Sequence, residues 1–202
     1  KSLAGKAREH PEKIKKVLSA IQTDGLALTL SRVFDKLDSP ASLGYSCAGT
    51  VLEAARDAGS FTVGDRVACA GQNYASHAEM IYVPQHLCAK IPDGLDSEDA
   101  SFVTLGAIAL QGVRQAEPWL GDRIAVIGLG LLGQLTVQLL KASGCRVLGS
   151  DVDQSKLQLA RESGADLVAM SSDLADAAAT FSDGHGVDAV IITASTKDNG
   201  PI

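Results

Sequence analysis

The sequence predicts an α/β protein: a parallel sheet with helices on both faces, preceded by a β-rich segment and an N-terminal pair of helices. Three observations carry this. From residue 121 onward, short apolar runs alternate with amphipathic helical segments, the pattern of a parallel sheet covered on both sides. Between residues 43 and 91 the texture is short β-like runs separated by Gly, Pro and Asp turns. Over residues 11 to 37, apolar residues recur at helical spacing.

In chain order, Pro11 suits a first helical turn, and Ile14, Val17, Leu18 and Ile21 form one apolar face before Asp24-Gly25 breaks the run. Leu30, Val33, Phe34 and Leu37 repeat the pattern, and Pro40 ends it. Strands are then expected at Thr50–Glu53, Arg66–Ala70 after the Gly64-Asp65 turn, Ala78–Val83 and Leu87–Ile91 before Pro92-Asp93-Gly94. Ser97 is the predicted N-cap of a single helix with Glu98 and Asp99 in its first turn, running through Leu105, Ile108, Leu110 and Val113 towards Pro118. Beyond Gly121-Asp122 the expected elements are a strand at Ile124–Ile127, a helix at Leu132–Ala142 capped by Ser143-Gly144, a strand at Arg146–Ser150, a helix at Ser155–Glu162, a strand at Leu167–Ala169, an Ala-rich helix near 173–181 and a strand at Ala189–Thr193. The predicted domains are residues 1–42, 43–120 and 121–202.

Gly128-Leu129-Gly130-Leu131-Leu132-Gly133 separates the first strand of that last domain from its helix. Three glycines at this spacing let the chain turn tightly, bring backbone N–H groups to a pyrophosphate and pack the helix close to the sheet, with the helix N-terminus favouring negative charge. Asp151 closes the next strand, eighteen residues past Gly133, where a carboxylate can accept both hydroxyls of an adenine ribose. This is a Rossmann-type dinucleotide-binding unit. Such a carboxylate repels a 2′-phosphate, so NAD is expected over NADP, and Arg146 on the preceding strand is poorly placed to rescue one. A full doubly wound sheet uses about six strands; four are read here, so the chain is expected to be part of a longer protein.

With 46% hydrophobic and 21% charged residues, the chain has the composition of an ordinary globular protein. Its net charge of −6 argues against a general nucleic-acid surface. The first sixteen residues hold six Lys/Arg against two Glu, which a solvated helix face explains. No apolar run approaches the roughly eighteen residues that span a bilayer, and no secretory leader is recognisable, so the expectation is cytoplasmic with no membrane partner. Cys47, Cys69, Cys88 and Cys145 lack any CxxC pair and read as reduced core residues rather than a clustered thiolate zinc site.

The run Gly44-Tyr45-Ser46-Cys47-Ala48-Gly49-Thr50-Val51, the turn Phe61-Thr62-Val63-Gly64-Asp65-Arg66-Val67, Ile91-Pro92-Asp93-Gly94 and Lys156-Leu157…Ala160…Gly164-Ala165 resemble the medium-chain dehydrogenase/reductase family over residues 43–202. The resemblance implies a partial GroES-like domain with a bridging helix, followed by the nucleotide domain. It places Lys156 against the adenosine ribose, and Thr193 and Ala194 complete the expected cofactor-binding set. Where zinc alcohol dehydrogenases of the family carry metal ligands, this chain has Tyr45, Ser46 and Thr104, and Ala70-Gly71-Gln72-Asn73-Tyr74 replaces their four-cysteine lobe. Neutral hydroxyls are poor zinc ligands beside thiolate, imidazole or carboxylate. The resemblance is therefore to a zinc-independent branch, with no metal expected. The helical insertion before Gly44 and the Gly71–His77 segment are similar to bacterial two-part oxidoreductases in which such a module is fused to a glucose–fructose oxidoreductase-type domain, implying a sugar-like substrate.

With no metal, another group must stabilise charge on the substrate oxygen while nicotinamide exchanges the hydride. The candidates are Tyr45, Thr104 and His77, with Ser46 and Tyr74 beside them. Each has an ordinary alternative: a locally satisfied hydroxyl, a helix-carbonyl bond, an exposed loop histidine. No Tyr-x-x-x-Lys is present. The expected function is an NAD(H)-dependent oxidoreductase acting on an alcohol/carbonyl pair, carbohydrate-derived. The alternatives are a quinone or conjugated-enone reductase, and a non-catalytic dinucleotide-binding sensor or assembly module. The resemblance also implies a homodimer in the longer protein, paired through the nucleotide-domain sheet.

Overall fold

The computed structural model describes residues 42–195, together with Ser19 and Gly25. Apart from those two residues, the helices expected over 11–37 lie outside the described residues. Residues 43–195 fall within one compact unit.

Its first layer is a three-stranded antiparallel sheet in the order β1-β2-β3, made of β1 (Ser46–Thr50), β2 (Arg66–Ala70) and β3 (Cys88–Lys90). The central strand, Arg-Val-Ala-Cys-Ala, has small and β-branched residues buried on both faces. Val67 and Cys69 pack with Ala75, Val51, Phe61 and Val83 on one side. Ala68 meets Ile91 and Ala100 on the other. The β1–β2 turn is closed by Asp65, whose carboxylate accepts from Thr62 N–H at 2.7 Å and pairs with Lys90 at 2.7 Å.

Several expectations for this half are corrected. The strand expected at Thr50–Glu53 lies earlier, at Ser46–Thr50, because pairing with β2 sets the register: Ser46 stands opposite Ala70 and Thr50 opposite Arg66. Ala78–Val83 is not a strand despite its apolar, β-prone residues. The free edge of β2 is taken by Cys88–Lys90, and Met80 and Tyr82 are left exposed, so β-propensity without a ladder partner does not make a strand. A 3₁₀ turn at Gln85–Leu87 shortens β3 at its start.

The single helix expected from Ser97 is two. α1 (Ser97–Ala100) is capped by Asp96 rather than Ser97, its carboxylate accepting from Glu98 N–H at 2.8 Å. α2 (Val103–Gln115) follows after a break. Two hydrogen bonds accompany the break: the Ser101 carbonyl accepts from Ser46 Oγ at 2.6 Å, and the Ser101 hydroxyl turns back to the Glu98 carbonyl at 2.6 Å.

The second layer is a four-stranded parallel sheet in the order β6-β5-β4-β7, with β4 at Arg123–Ile127, β5 at Arg146–Asp151, β6 at Leu167–Met170 and β7 at Ala189–Ile192. The intervening helices are α3 (Leu131–Ala142), α4 (Gln154–Glu162) and α5 (Leu174–Phe181), each within a residue or so of expectation. Strand residues alternate between two cores. Ile124, Val126 and Val147 join Val137, Leu140, Leu157 and Ala160 on one face, while Ala125 and Leu148 meet Phe181 on the other. The order reverses beside β4: β5 and β6 lie to one side and β7 to the other. The carboxyl ends of β4 and β7 therefore flank a topological switch point, where open sheets of this kind bind ligands. Among the described residues no helix is long and apolar enough to cross a membrane.

Candidate dinucleotide site

β4 ends at Ile127, and the chain turns at Gly128 with φ +93°, a conformation that L side chains rarely adopt. The turn is stitched to both neighbouring strands. Gly128 N–H donates to the Ser150 carbonyl at 2.8 Å, and the Thr193 hydroxyl donates to the Gly128 carbonyl. A Cβ at Gly128 would lie 2.5 Å from the Ala194 nitrogen, and one at Gly133 would overlap the Gly128 carbonyl oxygen. Both glycines are thus demanded by the protein's own packing.

Gly130 is different. Its φ of −68° suits any residue, and a Cβ built on it meets nothing within 4 Å. Neither backbone conformation nor protein packing calls for glycine there. It is also the N-cap of the twelve-residue helix α3 and supplies no side-chain cap, and the position itself opens onto unfilled space. Unfilled room over a helix N-terminus at a switch point fits a pyrophosphate. The dinucleotide-binding set thus fits the residues present.

Asp151, at the end of β5, is 6% exposed. Its Oδ2 accepts from Leu129 N–H at 2.6 Å, and its Oδ1 accepts from Asp153 N–H at 3.0 Å and lies 3.6 Å from Lys156 Nζ. The carboxylate expected at the ribose therefore also anchors the glycine turn. Asp153 caps α4 through Ser155, whose hydroxyl and backbone N–H hold the Asp153 carboxyl below the usual carboxylate range, with nearby Lys156 contributing. Two carboxylates and one ammonium thus stand at the carboxyl end of β5. Among the other expected cofactor residues, Leu129 is buried, Leu131 and Leu132 form the partly open first turn of α3, and Thr193 and Ala194 support Gly128 directly.

The expected catalytic residues fall in two places. Ser46 Oγ, besides its bond to the Ser101 carbonyl, accepts from Thr104 N–H at 3.4 Å, and Thr104 Oγ1 donates to the Cys69 carbonyl at 3.4 Å. These two residues knit β1 and β2 to α2. Tyr45 is 40% exposed; its carbonyl accepts from Gly71 N–H at 3.0 Å. The loop that follows folds back along it, with Tyr74 against Gly71 and the His77 ring across Gly44, where only glycine leaves room. His77 N–H donates to the Leu43 carbonyl at 2.8 Å. Tyr45, Tyr74 and His77 thus share one loop cluster, and Thr104 belongs to the helix junction.

The donor set Tyr45, Ser46 and Thr104 does not fit zinc. All three are neutral hydroxyls, and two of them already bond backbone groups. Among the described residues no three His, Cys, Asp or Glu side chains are grouped to hold a metal. Cys47, Cys69 and Cys88 stand opposite one another across the three strands, with Cys69 Sγ 3.8 Å from Cys88 Sγ. Burial, with the neighbouring thiols adding to it, pushes the Cys69 thiol up to about 12. A cavity of about 840 Å³ opens on this thiol-bearing face, lined by Cys47, Phe61, Tyr82 and Cys88, away from the glycine turn.

Gln134 went unnoticed in the sequence. It is 6% exposed, and its side-chain N–H groups donate to the carbonyls of Leu129 and Lys156, each at 3.0 Å. Its signal is a polar residue three positions before Val137 on the buried face of α3.

A family model described as zinc-binding dehydrogenase matches residues 132–199, and one described as alcohol dehydrogenase GroES-like domain matches residues 14–93. A D-guloside 3-dehydrogenase of Escherichia coli (strain K12) is 31% identical over 160 residues, covering 77% of this chain and 45% of that protein. The chain spans about half the length of the curated relatives it matches. A quinone oxidoreductase from Pseudomonas syringae pv. Tomato DC3000 superposes with a TM-score of 0.68 at 27% identity, covering 75% of this chain and 48% of that one. A mycobacterial protein solved in complex with NADPH gives a TM-score of 0.66 at 29% identity, with 76% and 50% covered.

Proposed function

The chain belongs to the medium-chain dehydrogenase/reductase family, and from that membership we propose that it is the cofactor-binding part of an NAD(H)-dependent, zinc-independent oxidoreductase of alcohol or carbonyl groups on a carbohydrate-derived substrate. The observation that carries the reading is Gly130, which neither its backbone conformation nor a close approach within the protein requires to be glycine, and which opens the N-terminus of α3 to unfilled space at the switch point. The D-guloside dehydrogenase relative supports the substrate class. Asp151 and Asp153 at the end of β5 support NAD over NADP, since both carboxylates would repel a 2′-phosphate.

When bound, nicotinamide supplies the hydride chemistry. This chain's residues bind and orient it. The first turn of α3 would face the pyrophosphate and Asp151 and Lys156 would hold the ribose, while Gly128 with Thr193 and Ala194 fixes the turn between them. Tyr45 and His77 are proposed to donate to the substrate oxygen in place of a metal, with Thr104 positioned beside Ser46. That same neutral donor set, with the likeness to a quinone oxidoreductase, favours a second reading: reduction of a quinone or conjugated enone, acceptors that need no metal-bound oxygen.

The test is Gly130→Ala, read by calorimetric titration with NADH and NADPH and by thermal melting. A Cβ in open space at an ordinary φ meets no clash, so the melting temperature falls only by the small cost of Ala in place of Gly at an N-cap. It should weaken NADH binding about tenfold, or about 1.4 kcal/mol. Unchanged NADH affinity in the variant would remove the argument for a nucleotide at this turn. Turnover of NADH with a quinone but with no carbonyl sugar would select the second reading.

A further inference from the structure

Three hydrogen bonds and one ion pair close a ring beneath the glycine turn. Leu129 N–H donates to Asp151 Oδ2 at 2.6 Å, and Lys156 Nζ lies 3.6 Å from Asp151 Oδ1. The carbonyls of those same two residues, Leu129 and Lys156, both accept from Gln134 Nε2 at 3.0 Å. The circuit thus runs Asp151, Leu129, Gln134, Lys156 and back to Asp151. It joins the glycine turn, Leu129-Gly130, to the end of β5 and the start of α4, Asp151 to Lys156, the segments proposed above for the pyrophosphate and the ribose.

We propose that Gln134 is a positioning residue for the dinucleotide: it fixes the phosphate-facing turn and the ribose-facing carboxylate as one unit before the ligand arrives. This rests on the functional reading above. Three observations bear on it. Gln134 is buried on the apolar face of α3 and reaches the turn only from beneath, through the Leu129 carbonyl. Both hydrogens of its amide are used, one on each segment, so neither segment can move without breaking a bond. Its Oε1 is buried with no partner among the described residues, so the side chain stands there for its donors, and an apolar residue of similar length would avoid the orphan. The amide cannot be turned over to satisfy Oε1, because that would aim an oxygen at two carbonyl oxygens. Asp151 is held in the same way: one oxygen fixes the turn while the other is left to face Lys156 and Asp153 N–H, which presents the carboxylate in a single orientation.

Preorganisation of this kind raises affinity by lowering the ordering cost on binding. Replacing Gln134 with Met keeps the volume and removes both donors. The experiment is calorimetric titration of the 202-residue chain with NADH, for the unaltered protein, Gln134→Met, Asp151→Asn and the double variant, with thermal melting of each without ligand. The expected result is about a tenfold weaker NADH dissociation constant for Gln134→Met, and a double variant that binds no more than about twofold more weakly than the weaker single variant, because the second substitution enters a circuit already open. A side chain that only fills space would lower the melting temperature and leave the two effects multiplicative. Parent-like NADH affinity in Gln134→Met, or multiplicative losses, overturns the proposal while leaving the cofactor reading intact. No binding of NADH or NADPH by the unaltered chain overturns that reading and this one with it. If Gln134→Met does not fold, Gln134→Asn is measured instead: it keeps the amide but is one methylene too short to reach both carbonyls, and the same loss and the same coupling are expected of it.

Discussion

The antiparallel sheet β1-β2-β3 is held together by pairing between short strands, whereas the parallel sheet β6-β5-β4-β7 is built from strand–helix–strand units that each carry their own core. In the parallel sheet every expected strand and helix is present, displaced by a residue or so at its ends. In the antiparallel sheet one expected strand has moved forward, one is absent, and one helix is broken in two. The difference lies in how much of each element is specified locally. A βαβ unit carries its own evidence: a buried apolar run, a turn glycine and a helix with one apolar face, all inside about thirty residues. An antiparallel strand of five residues is specified by its partner, and propensity alone does not say which partner it will find.

The sharpest way to break this comparison is within the glycine turn, where three glycines look alike in sequence and do not in space. Gly133→Ala would force a Cβ into the Gly128 carbonyl, backbone against backbone with no flexible end to give. The expected loss is about 3 kcal/mol of stability, seen as a fall in the denaturant midpoint. Gly130→Ala meets no clash and should lower that midpoint only slightly, by the N-cap cost of under about 1 kcal/mol. Equal stability of the two variants would mean that the turn is looser than drawn here, and that the apparent determinism of the parallel sheet is owed to something other than its close approaches.

A second contrast matches isoleucines across the two regions. Ile124 on β4 is fully buried, whereas Ile81, in the segment that reads like a strand and is not one, is 38% exposed. Ile124→Ala should cost about 3 kcal/mol, within the range for emptying a close-packed core site. Ile81→Ala should cost under about 1 kcal/mol, as for a surface position. A large loss at Ile81 would show that Ala78–Val83 is packed against a partner after all, and the failed strand expectation would have to be reconsidered.

What was legible in the site follows the same division. Gly128, Gly133 and Asp151 announce themselves by spacing, because the tight turn and the strand end are local events. That Asp151 also holds Leu129 N–H, and that Gln134 closes the ring, depends on α3, α4 and β5 meeting in space. One consequence is practical: Asp151→Ala would loosen the turn as well as remove the proposed ribose contact, so Asp151→Asn, which keeps one acceptor oxygen, is the milder probe. The break at Ser101 was illegible for a similar reason, since the hydroxyl bonded there belongs to Ser46, fifty-five residues earlier. The Cys69–Cys88 approach likewise appears only once β2 and β3 have paired.

The smallest expected effect concerns that thiol row, and it separates the two regions by proton linkage. Burial is the main reason the Cys69 thiol is raised to about 12 from its ordinary value of 9.0, with the neighbouring Cys88 and Cys47 thiols adding to it. A group whose folded pKa is raised binds its proton more tightly when folded. Its contribution is therefore complete below about pH 9 and is lost as pH rises towards 12. Cys145, in the parallel sheet, is also raised by burial but has no thiol neighbour among its causes. At pH 8, iodoacetamide should leave Cys69 unmodified in the folded chain and alkylate it in denaturant, as read by peptide mass spectrometry. Cys47 and Cys88 are partly exposed whereas Cys69 is buried, so they should react before Cys69. Cys69→Ala should flatten the alkaline decline in stability more than Cys145→Ala does, because only Cys69 sits between two other thiols. Native-state labelling of Cys69 ahead of Cys88 would show that the antiparallel sheet opens at β3, and that its three short strands hold together less well than their register suggests.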